Sequence, residues 1–149
     1  MPTAPSLADR VELRTLVETY ASAVDRRRWD ELGALFGEAG RLYVYKDEGQ
    51  SEPSGVRTGA VEIAAVVSAG IGVYRATSHM VGAHSIEMTD DPDVALGSTT
   101  CRAYHVRGAA SLMIMAIMYE DRYVRSADGW RFDERHVRLQ WRETRTLVQ

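Results

Sequence analysis

The chain has one cysteine, one lysine, four prolines and no long apolar run among its 149 residues. Each scarcity excludes something. A lone thiol, Cys101, can form neither an intramolecular disulfide nor a cysteine-rich metal shell. It sits among small and β-prone residues in "GSTTCRAYHV", which suits a small buried side chain better than a nucleophile. The best membrane candidate, "GAASLMIMAIMYEDRY", is apolar over far less than the roughly 18–20 residues of a span, and "MPTAPSLADR" has no apolar signal region. The expectation is a cytoplasmic protein with no membrane partner. Lys46 is the only lysine among 18 basic residues, a bias that reads as compositional and leaves one or two arginines at most for a pocket wall. Against them stand 21 acidic residues, for a net charge of −3, so a nucleic-acid partner is not expected.

What is present is enough apolar material, 45% of the chain, to close one core and not two. Residues 1–6 read as a loose tail, residues 7–142 as one domain and residues 143–149 as a second tail. Ser6 is a plausible cap, with Asp9 three positions on. In "LADRVELRTLVETYASAVDRRRW", Leu7, Val11, Leu13, Leu16, Val17, Tyr20 and Val24 recur at helical intervals. "RWDELGALFGE" repeats the spacing through Trp29, Leu32, Leu35 and Phe36. "RLYVY" then reads as a strand, "KDEGQSEPSG" as a polar loop and "GAVEIAAVVSAGI" as a short helix with Val61, Ala64, Ala65 and Ser68 inward.

From residue 74 the pattern is extended and broken by "TDDPD", "RGA" and "ADG", which describes an antiparallel meander. In the last run, Trp130 and Phe132 share one parity while Val137, Leu139 and Trp141 share the other, so a bulge is expected between about 133 and 136. That correction turns Arg135 inward, to meet either a buried partner or a ligand. "SLMIMAIM" is apolar on both faces and suits a core strand, a cavity wall or an oligomer interface.

Helix, helix, strand, short helix and four long strands, with "YASAVDRRRWDELGALF", "ATSHMVGAHSIEM" and "YEDRYVRSADGWRFDERHV" in that order, resemble the SnoaL-like branch of the NTF2-like superfamily. The resemblance covers about residues 7–141. It implies an α+β cone: N-terminal helices packed on a strongly curved, mainly antiparallel sheet that encloses a pocket. Scytalone dehydratase, bile-acid 7α-dehydratase, hexachlorocyclohexane dehydrochlorinase, steroid isomerases and polyketide cyclases share that fold, so it implies a cavity and leaves the reaction open. Pairing through the sheet, as a homodimer or larger homo-oligomer, is a further implication of the resemblance.

The resemblance also points to particular residues. Asp25 matches the acidic member of an Asp–His pair; by its position alone it would cap the following turn or pair with an arginine. His79, in "TSHM", matches the histidine. A carboxylate on one ring nitrogen leaves the other as a base for a proton on carbon. Tyr20 is either an oxyanion donor or a core tyrosine, and His105 either a second acid–base group or a strand-end histidine. Arg135 is a candidate binder of an anionic oxygen. Trp29, Phe36, Tyr43, Tyr45, Met80, Met115 and Tyr119 are candidate pocket walls, with plain packing as the alternative. His84 is expected outside the pocket unless Gly82 marks a bulge. No glycine-rich nucleotide loop follows a strand and no metal-ligand spacing occurs, so neither cofactor nor metal is expected. The reaction expected is a cofactor-independent dehydration of a medium-sized apolar or aromatic hydroxylated molecule. The alternatives are an isomerase or cyclase using the same base, and a non-catalytic binding or accessory domain.

Overall fold

A computed structural model describes residues 3–148. Helix α1 (Leu7–Asp25) starts where Ser6 accepts from the Asp9 backbone N–H at 3.1 Å and donates back to the Asp9 carboxylate. Its buried stripe is Leu13, Leu16, Val17, Tyr20, Ala21, Ala23 and Val24. Leu7 and Val11, expected on that stripe, are exposed because at 3.6 residues per turn they lie on the opposite face of the helix from Leu13, Leu16 and Tyr20. Helix α2 (Trp29–Ala34) is short, and β1 (Phe36–Tyr45) follows it at once. Phe36 therefore opens a strand instead of closing a helix. Gly40 permits this, since a Cβ there would lie 2.8–2.9 Å from Phe36 and from the carbonyls of Gly37 and Phe132.

Strand β2 (Gly55–Thr58), which starts at the last residue of the expected loop and fills the stretch left unassigned before the short helix, pairs with β1. Helix α3 (Ala60–Ile71) buries Ile63 and half-buries Val66 and Val67. The inward face is thus two positions along from the expected one, and Val61 is exposed. Strands β3 (Ala76–Met88), β4 (Val94–Arg107), β5 (Ser111–Ser126) and β6 (Gly129–Thr146) form the meander. The last strand pairs with β5 as far as Thr146, so residues 143–146 are sheet and not tail. Of the expected N-terminal tail, residues 1 and 2 lie outside the described residues and residues 3–6 have no regular secondary structure.

The sheet order is β2-β1-β6-β5-β4-β3, antiparallel except where β1 runs parallel to β6. It is curved and unclosed, with the helices against its concave face, which is the expected α+β architecture. Curvature has local causes. In β6, Asp133 is the extra residue between the Phe132–Tyr123 and Glu134–Arg122 pairs, inside the expected range, and Gln140 is a second one. The second bulge turns Trp141 to the convex face, away from Leu139. In β3 the register slips between Val81 and His84. A Cβ on Gly82 would sit 2.4 Å from the Thr100 hydroxyl, which instead accepts from the Ala83 N–H.

Candidate active site

Between α1, α3 and the concave face lies a cavity of about 630 Å³, in the range that holds a small-molecule ligand. Tyr20 and Val24 of α1 form one wall and Val66, Val67 and Ile71 of α3 another. The floor comes from alternate residues of β5, Met113, Met115, Ile117 and Tyr119, because successive strand side chains point to opposite faces.

Asp25, the last residue of α1, reaches β3. Its Oδ1 is 2.7 Å from Nδ1 of His79, its Oδ2 accepts from the His79 backbone N–H at 2.8 Å, and the Thr77 hydroxyl donates to Oδ1 at 2.9 Å. Burial pushes this carboxyl up, but the bonds from His79 and Thr77 outweigh it and hold the group below its ordinary range. An ionised carboxylate only accepts, so Nδ1 of His79 carries the proton of that bond and Nε2 is left free of Asp25. The His79 side chain is 5% exposed and its ring is part of the cavity wall.

Arg27 fixes this arrangement from behind. It stands in the left-handed region, φ 59°, which is uncommon for a residue with a Cβ. From there Nη1 donates to the carbonyl of Val24 and the hydroxyl of Thr77, and Nη2 to the carbonyl of Tyr74. With its oxygen accepting from Arg27, the Thr77 hydroxyl has its proton free for Asp25.

His105 is 3% exposed, in the cavity wall and edge-on to His79 at 5.5 Å. Burial first, and then the charge that His79 can carry, lower it to about 4, so it is neutral at pH 7. Burial pushes Tyr20 up to about 12, which keeps the phenol a donor, and the Cys101 thiol up to about 11, which leaves it inert.

A model of the SnoaL-like domain matches residues 5–136. The chain belongs to the SnoaL-like family. An uncharacterised protein of Mycobacterium tuberculosis (strain ATCC 25618 / H37Rv) is 28% identical over 131 residues, 87% of this chain and 84% of that protein. Among solved structures, a scytalone dehydratase-like protein of Novosphingobium aromaticivorans DSM 12444 is similar with a TM-score of 0.78 at 21% identity, over 92% of this chain and 87% of that one. Hexachlorocyclohexane dehydrochlorinase LinA-type3 of Novosphingobium barchaimii LL02 gives 0.78 at 18%, over 95% and 92%. Aln2 of a Streptomyces species gives 0.76 at 18%, over 92% and 94%. These likenesses establish the fold.

In this SnoaL-like chain, His79, Tyr20, His105, Met115 and Tyr119 come together at the cavity, and Asp25 stands behind His79, joined to the cavity through that ring. Arg135 does not. It is fully buried behind Tyr20 and Tyr119, its guanidinium carbon 4.2 and 3.7 Å from their ring centroids, and its Nε is 3.2 Å from Asp121. The buried-partner alternative is the one the structure holds. Tyr123 donates to Asp121 at 3.0 Å and lies 3.1 Å from Nε2 of His84. The bulge at Gly82 therefore gives His84 the parity of His79, yet places it beside that network and not at the cavity.

Met80 is 60% exposed, as the neighbour of an inward His79 must be. Tyr43 stacks on His136 at 4.2 Å on the convex face, and Tyr45, which borders the cavity rim, bonds His136 through its hydroxyl. Phe36 packs on Phe132 within the core, and Trp29 is half-buried away from the lining. Sequence reasoning missed Thr77, Arg27 and Asp121. Thr77 and Asp121 were findable, each being two residues along a strand from an inward residue, His79 and Tyr119.

Proposed function

We propose that this protein is a cofactor-independent lyase of dehydratase type, acting on a medium-sized apolar or aromatic hydroxylated molecule. The observation that carries the reading is the 2.7 Å Asp25–His79 contact at the wall of an open apolar cavity. His79 Nε2 takes a proton from the carbon next to an electron-withdrawing group, and the carboxylate of Asp25 offsets the imidazolium charge that forms. The C–H electron pair becomes the new C=C bond, and the β-hydroxyl leaves as water with the proton returned by His79. Tyr20, a neutral phenol in the same wall, donates to the developing oxyanion; Arg135, the other candidate for that role, is outside the cavity lining. Neutral His105 accepts from or donates to the departing hydroxyl. Dehydratase-type relatives of the same fold support the choice among reactions.

An isomerase would use the same base, and the product separates the two: loss of water against unchanged composition. The test is a panel of β-hydroxy carbonyl compounds incubated with the protein, with conjugated product followed by ultraviolet absorbance and mass. Turnover that drops by about 10²-fold or more in both His79→Gln and Asp25→Asn, with unchanged circular dichroism, is expected. Turnover that survives in both variants removes the dyad from the mechanism.

A further inference from the structure

The cavity wall has a charge pattern that the dyad does not use. Three cations, Lys46, Arg57 and Arg142, line it, and among the described residues no Asp or Glu does, in a chain with an acidic excess. About half of the arginines elsewhere are matched: Arg14, Arg28, Arg41, Arg122, Arg125, Arg138 and Arg145 each meet a carboxylate, and so does the buried Arg135. The lining cations have no ion pair among the described residues. Among the described residues, Arg57 bonds only the carbonyl of Val56, and the side chains of Lys46 and Arg142 have no hydrogen bond. Asp47, next to Lys46 in the chain, borders a separate groove with Glu120 and Arg138.

Register places these charges opposite the dyad. His79 pairs with Ala103, Ala103 with Met115, and Met115 with Arg142. Arg142 thus lies on the same cross-strand row as His79, three strand spacings away, about 14 Å along the sheet and less across its curve. Lys46 follows the last residue of β1, whose Tyr45 pairs with Arg138, so it stands at the same end of the sheet as Arg142. Arg57 pairs with Leu42 on β1. Between the two poles the surface is methionine, isoleucine and valine.

We propose that the ligand of this cavity is an amphiphile: an apolar body with an anionic oxygen group, carboxylate or phosphate, held at the rim by Arg142, Arg57 and Lys46 while the far end meets the dyad. Guanidinium groups suit such an anion because two N–H donors match two oxygens. A neutral substrate gains nothing from three unpaired cations at the entrance, whereas an anionic one exchanges water for charged partners and is oriented end to end. For the identity of the reacting end the proposal rests on the lyase reading; the charge preference does not need it.

Two dyes with one ring system test it. Anilinonaphthalene sulfonate carries the anion, and N-phenyl-1-naphthylamine is the same body without it. Fluorescence titration of the full chain is expected to give about tenfold tighter binding of the sulfonate, a preference that shrinks as salt is raised. Arg142→Gln/Arg57→Gln should erase the preference and leave the neutral dye's affinity within twofold. Arg107→Gln, a cation outside the cavity, should keep it. Met115→Trp, which fills the cavity, should weaken both dyes. Displacement of the sulfonate by decanoate ahead of coenzyme A assigns the anion to a free carboxylate, and the reverse order to a carrier's phosphate. Equal affinities of the two dyes, or a preference untouched by the double variant, overturn the proposal. If the preference holds and no hydroxylated acid is turned over, the rim stands and the lyase reading fails; if only neutral compounds are turned over and the dyes bind equally, the lyase reading stands and the rim fails.

Discussion

Replacing Arg135 with methionine should cost about 3–5 kcal/mol at pH 8 and markedly less at pH 5. The guanidinium is 0% exposed, stacked among Tyr20, Tyr119 and Phe132 at 3.7–4.5 Å, and paired through Nε with Asp121. Methionine fills similar space, so the loss comes from the partner left behind: an Asp121 carboxylate, buried, with Tyr123 as its remaining donor. Breaking one side of a buried ion pair typically costs about 3–5 kcal/mol, whereas replacing both sides with apolar groups is often neutral.

The pH dependence follows from Asp121. Burial pushes its carboxyl up to about 6 even against the pull of Arg135, and removal of the cation raises it further. A carboxyl whose folded value lies above its unfolded value binds more protons in the folded state between the two. Stability therefore falls as pH rises through that window, by up to about 1.4 kcal/mol per pH unit. Urea unfolding of Arg135→Met at several pH values from 5 to 8 should show the deficit growing with pH, and Asp121→Leu/Arg135→Met should recover most of it. A deficit below about 1 kcal/mol at pH 8, or one that does not change with pH, would refute the argument and make the guanidinium a filler of space.

Two further outcomes are expected. Thr77→Val removes the hydroxyl that holds Asp25 at 2.9 Å, so the Asp25 carboxyl should titrate at a higher pH by carbon-13 NMR, with Thr77→Ser restoring it; an unmoved titration removes Thr77 from the site. His105 is held at about 4 while an unfolded histidine titrates near 6.5, so the unfolded chain takes up a proton first and stability declines as pH falls from 6.5 to 4. His105→Gln should lessen that decline by up to about 3 kcal/mol in urea melts at pH 7 and 4.5, and an identical slope in both proteins excludes it as the cause.

The sequence is informative where one period has one explanation. The stripe of α1 from Leu13 to Val24, the parity of Cys101, Ala103 and His105, and the slip in β6 near residue 133 were all legible, because each follows from local side-chain alternation. The same rule, applied to neighbours, would have excluded Met80 once His79 was placed inside. Tyr43 was ambiguous for a different reason: in "RLYVY" both faces are apolar, and only the parallel pairing of β1 with β6, which brings His136 opposite Tyr43, decides that Leu42 and Val44 face the cavity. Bulges were the chief obstacle. One extra residue at Gly82 reverses the facing of His84, and one at Gln140 reverses that of Trp141; neither leaves a periodic trace. The partner of Arg135 needed the register of β5 on β6, which pairs Asp121 with Arg135 directly.

The dyad joins α1 to β3, so its geometry is as firm as that helix, and α1 is tied along its length. At its N-terminus Asp9 and Glu12 accept from Trp130, and Arg125 pairs with Asp9. In the middle Arg14 donates to the carbonyls of Val81 and Gly82. At the C-terminus Asp25 and Arg27 are bonded to Thr77, His79 and Tyr74. The facing wall is built differently. Among the described residues, the only side-chain hydrogen bond of α3 is the one that Glu62 accepts from the backbone N–H of Thr58, at the helix's own N-terminus, and the helix meets the cavity through Val66, Val67, Ala69, Gly70 and Ile71. Apolar contacts without directional bonds slide at little cost, whereas a break in the α1 ties strands several polar groups at once. The wall expected to yield to a large ligand is therefore α3, whose last turn holds Gly70 and which Gly72 caps, while the base is expected to stay aligned.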